Sequence, residues 1–415
     1  MKHAILPSSS LPRQAWGAVL AMSMAAFALV ASEFMPVSLL TPIAADLHIS
    51  EGQAGQAISI SGAFALLTSL VIASVVGRLD RKVLMLALTL MMVVSGTVVT
   101  LAPNYLVFMV GRALIGVAIG GFWSMSAATA MRLVEDHHVP RALAILNGGN
   151  ALASVVAAPL GSFLGAIVGW RWAFFCVVPV AAIACGWQWV VLPSMPTQQS
   201  PNGTNTLYLL ARPLLALGMA ATALFFMGQF ILFTYLRPFL ESVAHVGPMM
   251  LSLTLLIIGV AGFVGTTLIG FFLRKGLYRT LAGIPVLMAV IALALVAFGH
   301  SITVSAVLLG VWGLVATAAP VGWWTWLART LPKNAEAGGG LMVAVIQLAI
   351  MLGAAFGGVL FDTRGYQATF HMSAVLLLVS AGFVVLTVLL GKRPDRSRQT
   401  RDIPDASNSR VDVCP

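Results

Sequence analysis

Residues 111–127, GRALIGVAIGGFWSMSA, place a single arginine, Arg112, inside an otherwise uncharged apolar run that covers residues 105–131. A charged side chain at the centre of a bilayer costs about 2.5–3.5 kcal/mol on insertion scales, so it normally faces a protein interior or a water-filled cavity. Gly116 and Gly120 share one helix face and let a neighbouring helix approach closely. The stretch therefore predicts a membrane helix inside a bundle, with a buried cation and a close-packed glycine face.

The composition extends this prediction to the whole chain. Of its 415 residues, 59% are hydrophobic and 9% are charged, whereas a soluble protein has about 25% charged residues. A soluble core could not hide so much apolar surface, which predicts an all-α membrane protein. The net charge of +10 does not indicate nucleic-acid binding, because the basic residues lie in short loops and in the tail. The three cysteines form neither a disulfide framework nor a metal-binding spacing, and we expect no cofactor and no metal.

Twelve apolar segments predict twelve transmembrane helices in two six-helix halves. Each segment has about 19 residues or more, which at 1.5 Å per residue crosses a hydrocarbon core of about 30 Å. The stretch PSMPTQQSPNGTNT at 193–206 indicates a flexible linker. The predicted organisation is an N-terminal lead at 1–15, a first half at 16–192, a linker at 193–213, a second half at 214–390 and a tail at 391–415.

The first apolar segment, 16–40, also has features of a secretory signal peptide, with a basic start and an apolar stretch. Its apolar character continues past Glu33 to Leu40, which favours an uncleaved helix. Pro36 is expected to kink or end this helix near its outer end.

Basic residues are distributed unevenly around the segments. With the N-terminus inside, nineteen of the 23 Lys and Arg residues lie on the inner side, and Arg171, Arg237 and Arg364 lie in outer loops. Cytoplasmic loops carry such an excess of positive charge, so we expect a multi-pass protein of the cell inner (plasma) membrane with both termini in the cytoplasm. Two parallel six-helix halves around a site near the bilayer midplane are typical of transporters.

Glu33 is the one acidic residue inside the predicted segments. Counted from the predicted helix ends, Glu33 and Arg112 each lie about 10 Å below the outer boundary. A carboxylate and a guanidinium at matching depth can pair and so lower the burial cost of each. The pair is either a structural ion pair that orients two helices or a proton-coupling site. Ionisable groups within membranes are functional by default, which favours proton coupling.

Amide and aromatic side chains within the segments are the candidates for contacting a substrate. Amides offer both donors and acceptors, which suits a polar, uncharged ligand with a base and ribose hydroxyls. Each amide could instead join neighbouring helices, through hydrogen bonds worth about 0.6 kcal/mol on average. Aromatic rings could stack on a purine or anchor the helices at the membrane interface. The candidates are Asn147, Asn150, Gln229, Gln347, Trp123 and Tyr235.

Three motifs carry a family resemblance. They are GRLDRK at 77–82, which contains Asp80, Arg81 and Lys82; RALIG at 112–116; and APLG at 158–161, which contains Pro159 and Gly161. In these motifs the chain resembles the major facilitator superfamily, in its twelve-span drug/proton antiporter branch. The resemblance implies that the loop at 80–82 latches the two halves in one state and that Pro159 and Gly161 lie where the halves meet. These five residues are therefore assigned to a conformational switch.

Longer blocks narrow the resemblance to bacterial purine ribonucleoside efflux pumps of this superfamily. The blocks are EFMPVSLLTPIAADL at 33–47, GGFWSMSAATAMRLV at 120–134, GQFILFTYLRP at 228–238 and PVGWWTWLART at 320–330. The resemblance implies a monomer that exports purine ribonucleosides of the inosine or guanosine type by proton-coupled alternating access. Its partners would be this small-molecule substrate, protons and the lipid bilayer.

A sugar or drug/proton exporter of the same superfamily is the alternative function. An enzyme is not indicated, because the sequence contains no HExxH, GxSxG or P-loop motif. With no nucleotide-binding motif, a proton gradient is the energy source that the sequence favours.

Overall fold

The computed structural model describes residues 11–75, 79–196, 211–331 and 335–391. Within these ranges every regular element is helical. The helices are α1 (Leu11–Leu47), α2 (Glu51–Val75), α3 (Arg81–Thr100), α4 (Tyr105–Leu133), α5 (Val139–Val168), α6 (Trp170–Phe175), α7 (Val177–Val191), α8 (Pro213–Thr234), α9 (Leu236–Ser242), α10 (Pro248–Phe298), α11 (Ile302–Ala316), α12 (Ala319–Thr330) and α13 (Ala335–Gly391), with a 3-10 turn at Asp136–His138. Most of the predicted lead, linker and tail lies outside the described residues.

Ten helical stretches in the described residues are long and apolar enough to cross a membrane. Three of them combine consecutive helices, namely α6 with α7, α8 with α9 and α11 with α12. The two longest contain 51 and 53 residues. At about 1.5 Å per residue, each of these is more than twice as long as a hydrocarbon core is thick.

Each of the two longest helices contains a glycine with a non-helical backbone. In α10, Gly276 has φ 176° and ψ 93°, and in α13, Gly365 has φ 75° and ψ −177°. The positive φ of Gly365 is one that residues with a Cβ rarely adopt. The prediction of an all-helical membrane protein is confirmed. The described part of the chain has ten helical stretches of spanning length where the sequence predicts twelve segments, because two predicted pairs run together through these glycines.

The first helix is longer than the sequence predicts. α1 extends to Leu47 and continues through both Pro36 and Pro42. A proline has no N–H, so it leaves the carbonyl four residues earlier without its helical hydrogen bond. Membrane helices tolerate this where other groups satisfy the carbonyl. The carbonyls released here belong to Ser32 and Ser38, and each receives a hydrogen bond from an arginine.

The helices pack as a first helix group, α1–α7, and a second helix group, α8–α13. One large cluster of buried apolar side chains lies in the second group and takes in Val37, Ile58 and Ala158 of the first. Four smaller clusters lie between the helices of the first group, and one of them takes in Tyr235 of the second. The buried apolar packing is therefore divided within the first group, is largely one cluster in the second, and crosses between the groups at a few positions.

Glycines on α4 allow α2 to approach closely. A Cβ on Gly116 would lie 2.3 Å from the carbonyl oxygen of Ser61, and a Cβ on Gly120 would lie 2.2 Å from that of Ala65. Both distances are shorter than real Cβ contacts, so any larger residue would push the helices apart. The structure thus shows the close glycine contact that the spacing predicts.

The two helix groups meet along the seam, which is the contact of residues 33–62 with residues 230–241 and 347–362. The rings of Phe34 and Phe230 stack here with centroids 5.9 Å apart. Gly55 leaves room for the hydroxyl of Tyr235, which would lie 2.1 Å from a Cβ at this position. The seam therefore closes the end of the molecule at which α1 ends and α2 begins.

A methyl group on Gly120 should weaken the packing of α2 against α4. In Gly120→Ala the new Cβ clashes with the backbone of Ala65, and overpacking of this kind costs about 1–3 kcal/mol. We expect a lower midpoint of thermal unfolding, measured by scanning fluorimetry on the purified protein in detergent. Gly148→Ala is the control, because nothing lies within 4 Å of a Cβ there. Equal midpoints for the two variants would contradict the close contact.

Candidate functional site

The guanidinium of Arg112 is fully buried and bound mainly by backbone carbonyls. Nη1 donates to the carbonyl of Ser32 at 2.7 Å, and Nη2 donates to the carbonyl of Glu33 at 3.2 Å. Nε donates to the carbonyl of Ala57 at 3.2 Å, and Nη2 also reaches the hydroxyl of Ser61 at 3.1 Å. Arg112 therefore joins α4 to α1 and α2, and the protein supplies its solvation in place of water.

The shortest of these four hydrogen bonds, to the carbonyl of Ser32, depends on a proline. Pro36 cannot donate to the carbonyl of Ser32, which lies four residues earlier. That carbonyl would remain unsatisfied inside the membrane, at a cost of several kcal/mol. Arg112 donates to this carbonyl, so the buried guanidinium and the buried oxygen each gain a hydrogen-bond partner.

The predicted direct ion pair between Glu33 and Arg112 is not formed. Ion pairs are formed by His137 with Glu135, Arg171 with Asp46 and Arg237 with Glu241, and the described residues show none between Arg112 and Glu33. Arg112 binds the main-chain oxygen of Glu33 instead of its carboxylate. The reason is geometric: Pro36 leaves the carbonyl of Ser32 without its helical donor. This oxygen and the main-chain carbonyls of Glu33 and Ala57 accept the hydrogen bonds of the guanidinium.

The carboxylate of Glu33 faces the second helix group. Glu33 is 8% exposed, and the side chain of Gln347 on α13 lies beside it. Gln347 is 5% exposed. Its main-chain carbonyl oxygen would lie 3.2 Å from a Cβ on Gly62 of α2. The predicted substrate amide Gln347 thus lies beside the predicted proton-coupling carboxylate, across the contact between the two groups.

Gln229 on α8 holds an unused acceptor. Its Oε1 atom is buried and has no hydrogen-bond partner among the described residues. Phe226 and Phe233 lie three and four residues away, on the same side of the helix. Phe233 in turn packs edge-to-face on Phe34 of α1, with ring centroids 6.5 Å apart. An acceptor in this position is available to a ligand that donates a hydrogen bond.

The remaining amides lie on more open surfaces. Asn147 on α5 is exposed and donates to the carbonyl of Leu143 in its own helix at 2.9 Å. Asn150 and Trp123 are half-buried, and Trp123 meets Phe122 edge-to-face with centroids 5.7 Å apart. Since α5 begins and α4 ends near these residues, they lie toward the end of the molecule opposite the seam.

A separate groove of about 480 Å³ lies between α10 and α11. Its lining is almost wholly apolar and includes Ile257 and Val307. None of the predicted site residues lines it, so it does not belong to the candidate site.

Tyr235, a predicted substrate contact, is held by neighbouring side chains and backbone in the seam. It is fully buried, its hydroxyl donates to the carbonyl of Ala354 at 2.9 Å, and its ring stacks on Phe361 with centroids 5.2 Å apart. These contacts use both the polar and the flat surfaces of the ring. Tyr235 therefore packs within the seam, and this position does not favour a role in stacking on a substrate.

The loop of Asp80, Arg81 and Lys82 is tied to the first helix group. Asp80 caps the start of α3 by accepting from the N–H of Lys82 at 2.7 Å, and it also accepts from the N–H of Met195 at 3.0 Å and from the hydroxyl of Ser194. Burial favours a higher pKa for this carboxyl, but the hydrogen bonds outweigh it and hold the pKa below its ordinary value. The contacts described for Asp80 join the loop to the segment after α7 and not to the second group.

Pro159 and Gly161 lie where α5 meets other helices. Pro159 leaves the carbonyl of Val155 without its helical partner, and a Cβ on Gly259 of α10 would lie 2.7 Å from that oxygen. Gly161 packs on Ser38 of α1, whose hydroxyl would lie 2.7 Å from a Cβ there. The proline segment is thus in contact with the second helix group, as the resemblance implies.

Two charged side chains, Arg237 and Asp362, were placed at outer helix ends or loops from the sequence and lie in the seam. Arg237, assigned to an outer loop, is 7% exposed, pairs with Glu241 at 2.8 Å and donates to the carbonyl of Ser38. Asp362 accepts from the hydroxyl of Ser50 at 2.5 Å and from the N–H of Gly52 at 2.9 Å. The one available signal for Arg237 was Pro42, four residues after Ser38.

Comparison with known proteins agrees with this architecture. The sequence model described as Major Facilitator Superfamily matches residues 22–340. A Pseudomonas aeruginosa protein named transcription regulatory protein OpdE is 61% identical over 376 residues, which cover 90% of this chain and 94% of the relative. The purine ribonucleoside efflux pump NepI of Escherichia coli is 40% identical over 385 residues, which cover 93% of this chain and 97% of the pump.

A solved structure has the same fold. The human organic anion transporter MFSD10 (TETRAN) matches with a TM-score of 0.64 and 17% sequence identity, over 91% of this chain and 100% of that one. At such low identity the likeness concerns the fold alone. The sequence match, however, spans most of the chain and includes the helices that hold Arg112 and Glu33. The chain therefore belongs to the Major Facilitator Superfamily of membrane transporters.

Proposed function

We propose that this protein is a proton-coupled exporter of purine ribonucleosides that works by alternating access. The observation that carries the proposal is the Glu33 carboxylate, which is buried, has no ion-pair partner among the described residues, and lies beside Gln347 of the second helix group. The substrate class is supported by the 40% identity to NepI, a pump named for purine ribonucleosides.

The two helix groups would be the two six-helix halves of such a transporter. Ten helices of spanning length become twelve if the chain crosses the membrane separately on each side of Gly276 and Gly365, where the backbone leaves the helical conformation. Both termini would lie in the cytoplasm, which gives the inner loops their excess of Lys and Arg. The seam would then close the periplasmic end, and the end with Asn147 would be open to the cytoplasm, from which an exporter loads.

Glu33 would carry the proton because its protonation changes what it can offer Gln347. An ionised carboxylate only accepts hydrogen bonds, whereas a protonated carboxyl group can also donate one. The amide of Gln347 can donate to the first through its NH₂ group and accept from the second through its oxygen. The contact breaks when the two helix groups separate. Arg112 stays bound to the backbone of α1 and α2 and keeps a positive charge near the carboxylate in either state. Substrate and proton would then compete by thermodynamic linkage.

The substrate would bind between the helix groups, in contact with the candidate amides. Gln229 offers a buried acceptor, and Asn147 and Asn150 offer amides on an open surface of α5. A purine nucleoside has ring and ribose groups that donate and accept, and its base has a face on which Trp123 could stack. These side chains would select a polar, uncharged ligand over an apolar cation.

The alternatives are an exporter of a different substrate class and a role in regulating transcription. A sugar or drug/proton exporter would use the same fold with a different cavity. The 61% identical relative is named a transcription regulatory protein. Because the described residues of this chain are mostly apolar helices, we expect any effect on transcription to be indirect and to follow from the ligand that the protein moves.

Replacing Glu33 by glutamine should uncouple transport from the proton gradient. Glu33→Gln resembles the protonated side chain and cannot titrate, so uphill accumulation of labelled inosine in inside-out vesicles should be lost. Exchange of inosine across the membrane should remain. Glu135→Gln, at an exposed carboxylate, is the control and should pump normally. Undiminished uphill transport by Glu33→Gln would leave Glu33 with a structural role only.

Single alanine substitutions should reveal which amides contact the substrate. For Asn147, Asn150, Gln229 and Gln347 we expect a loss of inosine transport of about tenfold for each 1.4 kcal/mol of binding energy removed. The same vesicles should be assayed with a labelled sugar and a cationic dye, which separates the alternative functions. Normal inosine transport by all four variants at normal expression would contradict this assignment.

Reporter fusions should locate both the linker and the tail in the cytoplasm. The expected twelve crossings and the excess of inner basic residues place residues 197–206 and the chain after residue 390 on the same side. A reporter active only in the periplasm and one active only in the cytoplasm should be fused at each position. Periplasmic activity at either position would rule out the twelve-span arrangement.

A further inference from the structure

Among the polar contacts that cross the seam, two join a charged side chain of the second helix group to the backbone of the first. Arg237, at the start of α9, donates to the carbonyl of Ser38 in α1. Asp362, in α13, accepts from the N–H of Gly52 at 2.9 Å, in the first turn of α2. Each contact thus has one partner in each helix group.

The carbonyl of Ser38 is free because of Pro42. The proline has no N–H to donate to the residue four positions earlier, and Ser38 is completely buried. Water therefore cannot satisfy this oxygen while the seam is closed. Arg237 does so instead, and Glu241, one helical turn further on, holds its Nε at 2.8 Å.

The same arrangement occurs earlier in α1, with a different outcome. The carbonyl of Ser32 is freed by Pro36 and is bound by Arg112. Arg112 belongs to the same helix group as α1, so this bond persists when the groups move as units. Arg237 belongs to the other group, so its bond can form only while the seam is closed.

Asp362 accepts a hydrogen bond from a backbone N–H group that has no partner within α2, at the start of that helix. The first N–H groups of a helix have no partner within it, and a carboxylate is also favoured there by the helix dipole. Both oxygens of Asp362 are used, since the second accepts from the hydroxyl of Ser50 at 2.5 Å. Gly52 is needed for this approach, because a Cβ there would lie 2.2 Å from the carboxylate.

We propose that Arg237 and Asp362 form a two-point latch that holds the second helix group against α1 and α2, and that its release opens this end of the protein. The latch rests on the alternating-access function proposed above. The apolar contacts of the seam, such as Phe34 on Phe230, bury surface but do not fix the relative orientation of the two helix groups. The two polar contacts fix how the groups align, because each fits a single backbone gap.

The latch can be tested by the reactivity of a buried reporter. Val37 is 0% exposed and packs with apolar side chains of the second group. Val37→Cys, in a background with Cys176, Cys185 and Cys414 replaced by serine or alanine, would be reconstituted into nanodiscs and treated with a maleimide. In the parent the reporter should label slowly. Asp362→Asn and Arg237→Gln should each raise the labelling rate by about tenfold.

Two further variants make the test specific. Pro42→Ala keeps Arg237 but restores an N–H that competes for the carbonyl of Ser38, so it should also raise the rate and stands in for Arg237→Gln if that variant does not fold. Asp46→Asn is the matched control, because Asp46 lies at the same end but bonds Trp170 and Arg171 of its own group. Its labelling rate should equal that of the parent.

Labelling rates within twofold of the parent for Asp362→Asn and Pro42→Ala would overturn the latch, as would an equal increase in Asp46→Asn. The readout involves no substrate. A protein that labels as expected but does not move inosine would contradict the proposed substrate and leave the latch in place.

Discussion

The solvation of Arg112 by backbone carbonyls is the constraint on which the arrangement of the first helix group depends. A guanidinium presents five N–H donors in a fixed plane, and inside a membrane each donor needs an acceptor. Ser32, Glu33, Ala57 and Ser61 supply four acceptors from α1 and α2. Moving either helix would leave both a buried charge and bare carbonyls, so the three helices α1, α2 and α4 are held as one unit.

Prolines give this protein its acceptors. Within the described part of α1, Pro36 and Pro42 each release one serine carbonyl, and an arginine occupies each. In α5, Pro159 releases the carbonyl of Val155, which Gly259 approaches closely. A residue usually regarded as a helix breaker here creates polar contact points without introducing a polar side chain into the lipid-exposed sequence. One such point lies within a helix group, and the others lie between the two groups.

Features that depend on residue spacing within one helix could be predicted from the sequence. Contacts that depend on how two helix groups face each other could not. The burial of Arg112 and the glycine face of α4 follow from hydrophobicity and spacing alone. The contact of Glu33 with Gln347 could not be predicted, because it depends on where two helix groups meet, and matching depth suggested an ion pair instead. Arg237 was assigned to a loop, since a charge at a span end is normally solvated. Gly276 and Gly365 joined predicted helices, because a single non-helical residue leaves no loop signature in composition.

The order of the helices along the chain has a consequence for biosynthesis. Membrane proteins are made from the N-terminus, and earlier segments are available before later ones emerge from the ribosome. All four acceptors of Arg112 lie in α1 and α2, which precede it. The arginine therefore enters the bilayer with its partners already present. A circular permutant that began translation at α4 would deliver the charge to the translocon before any acceptor existed.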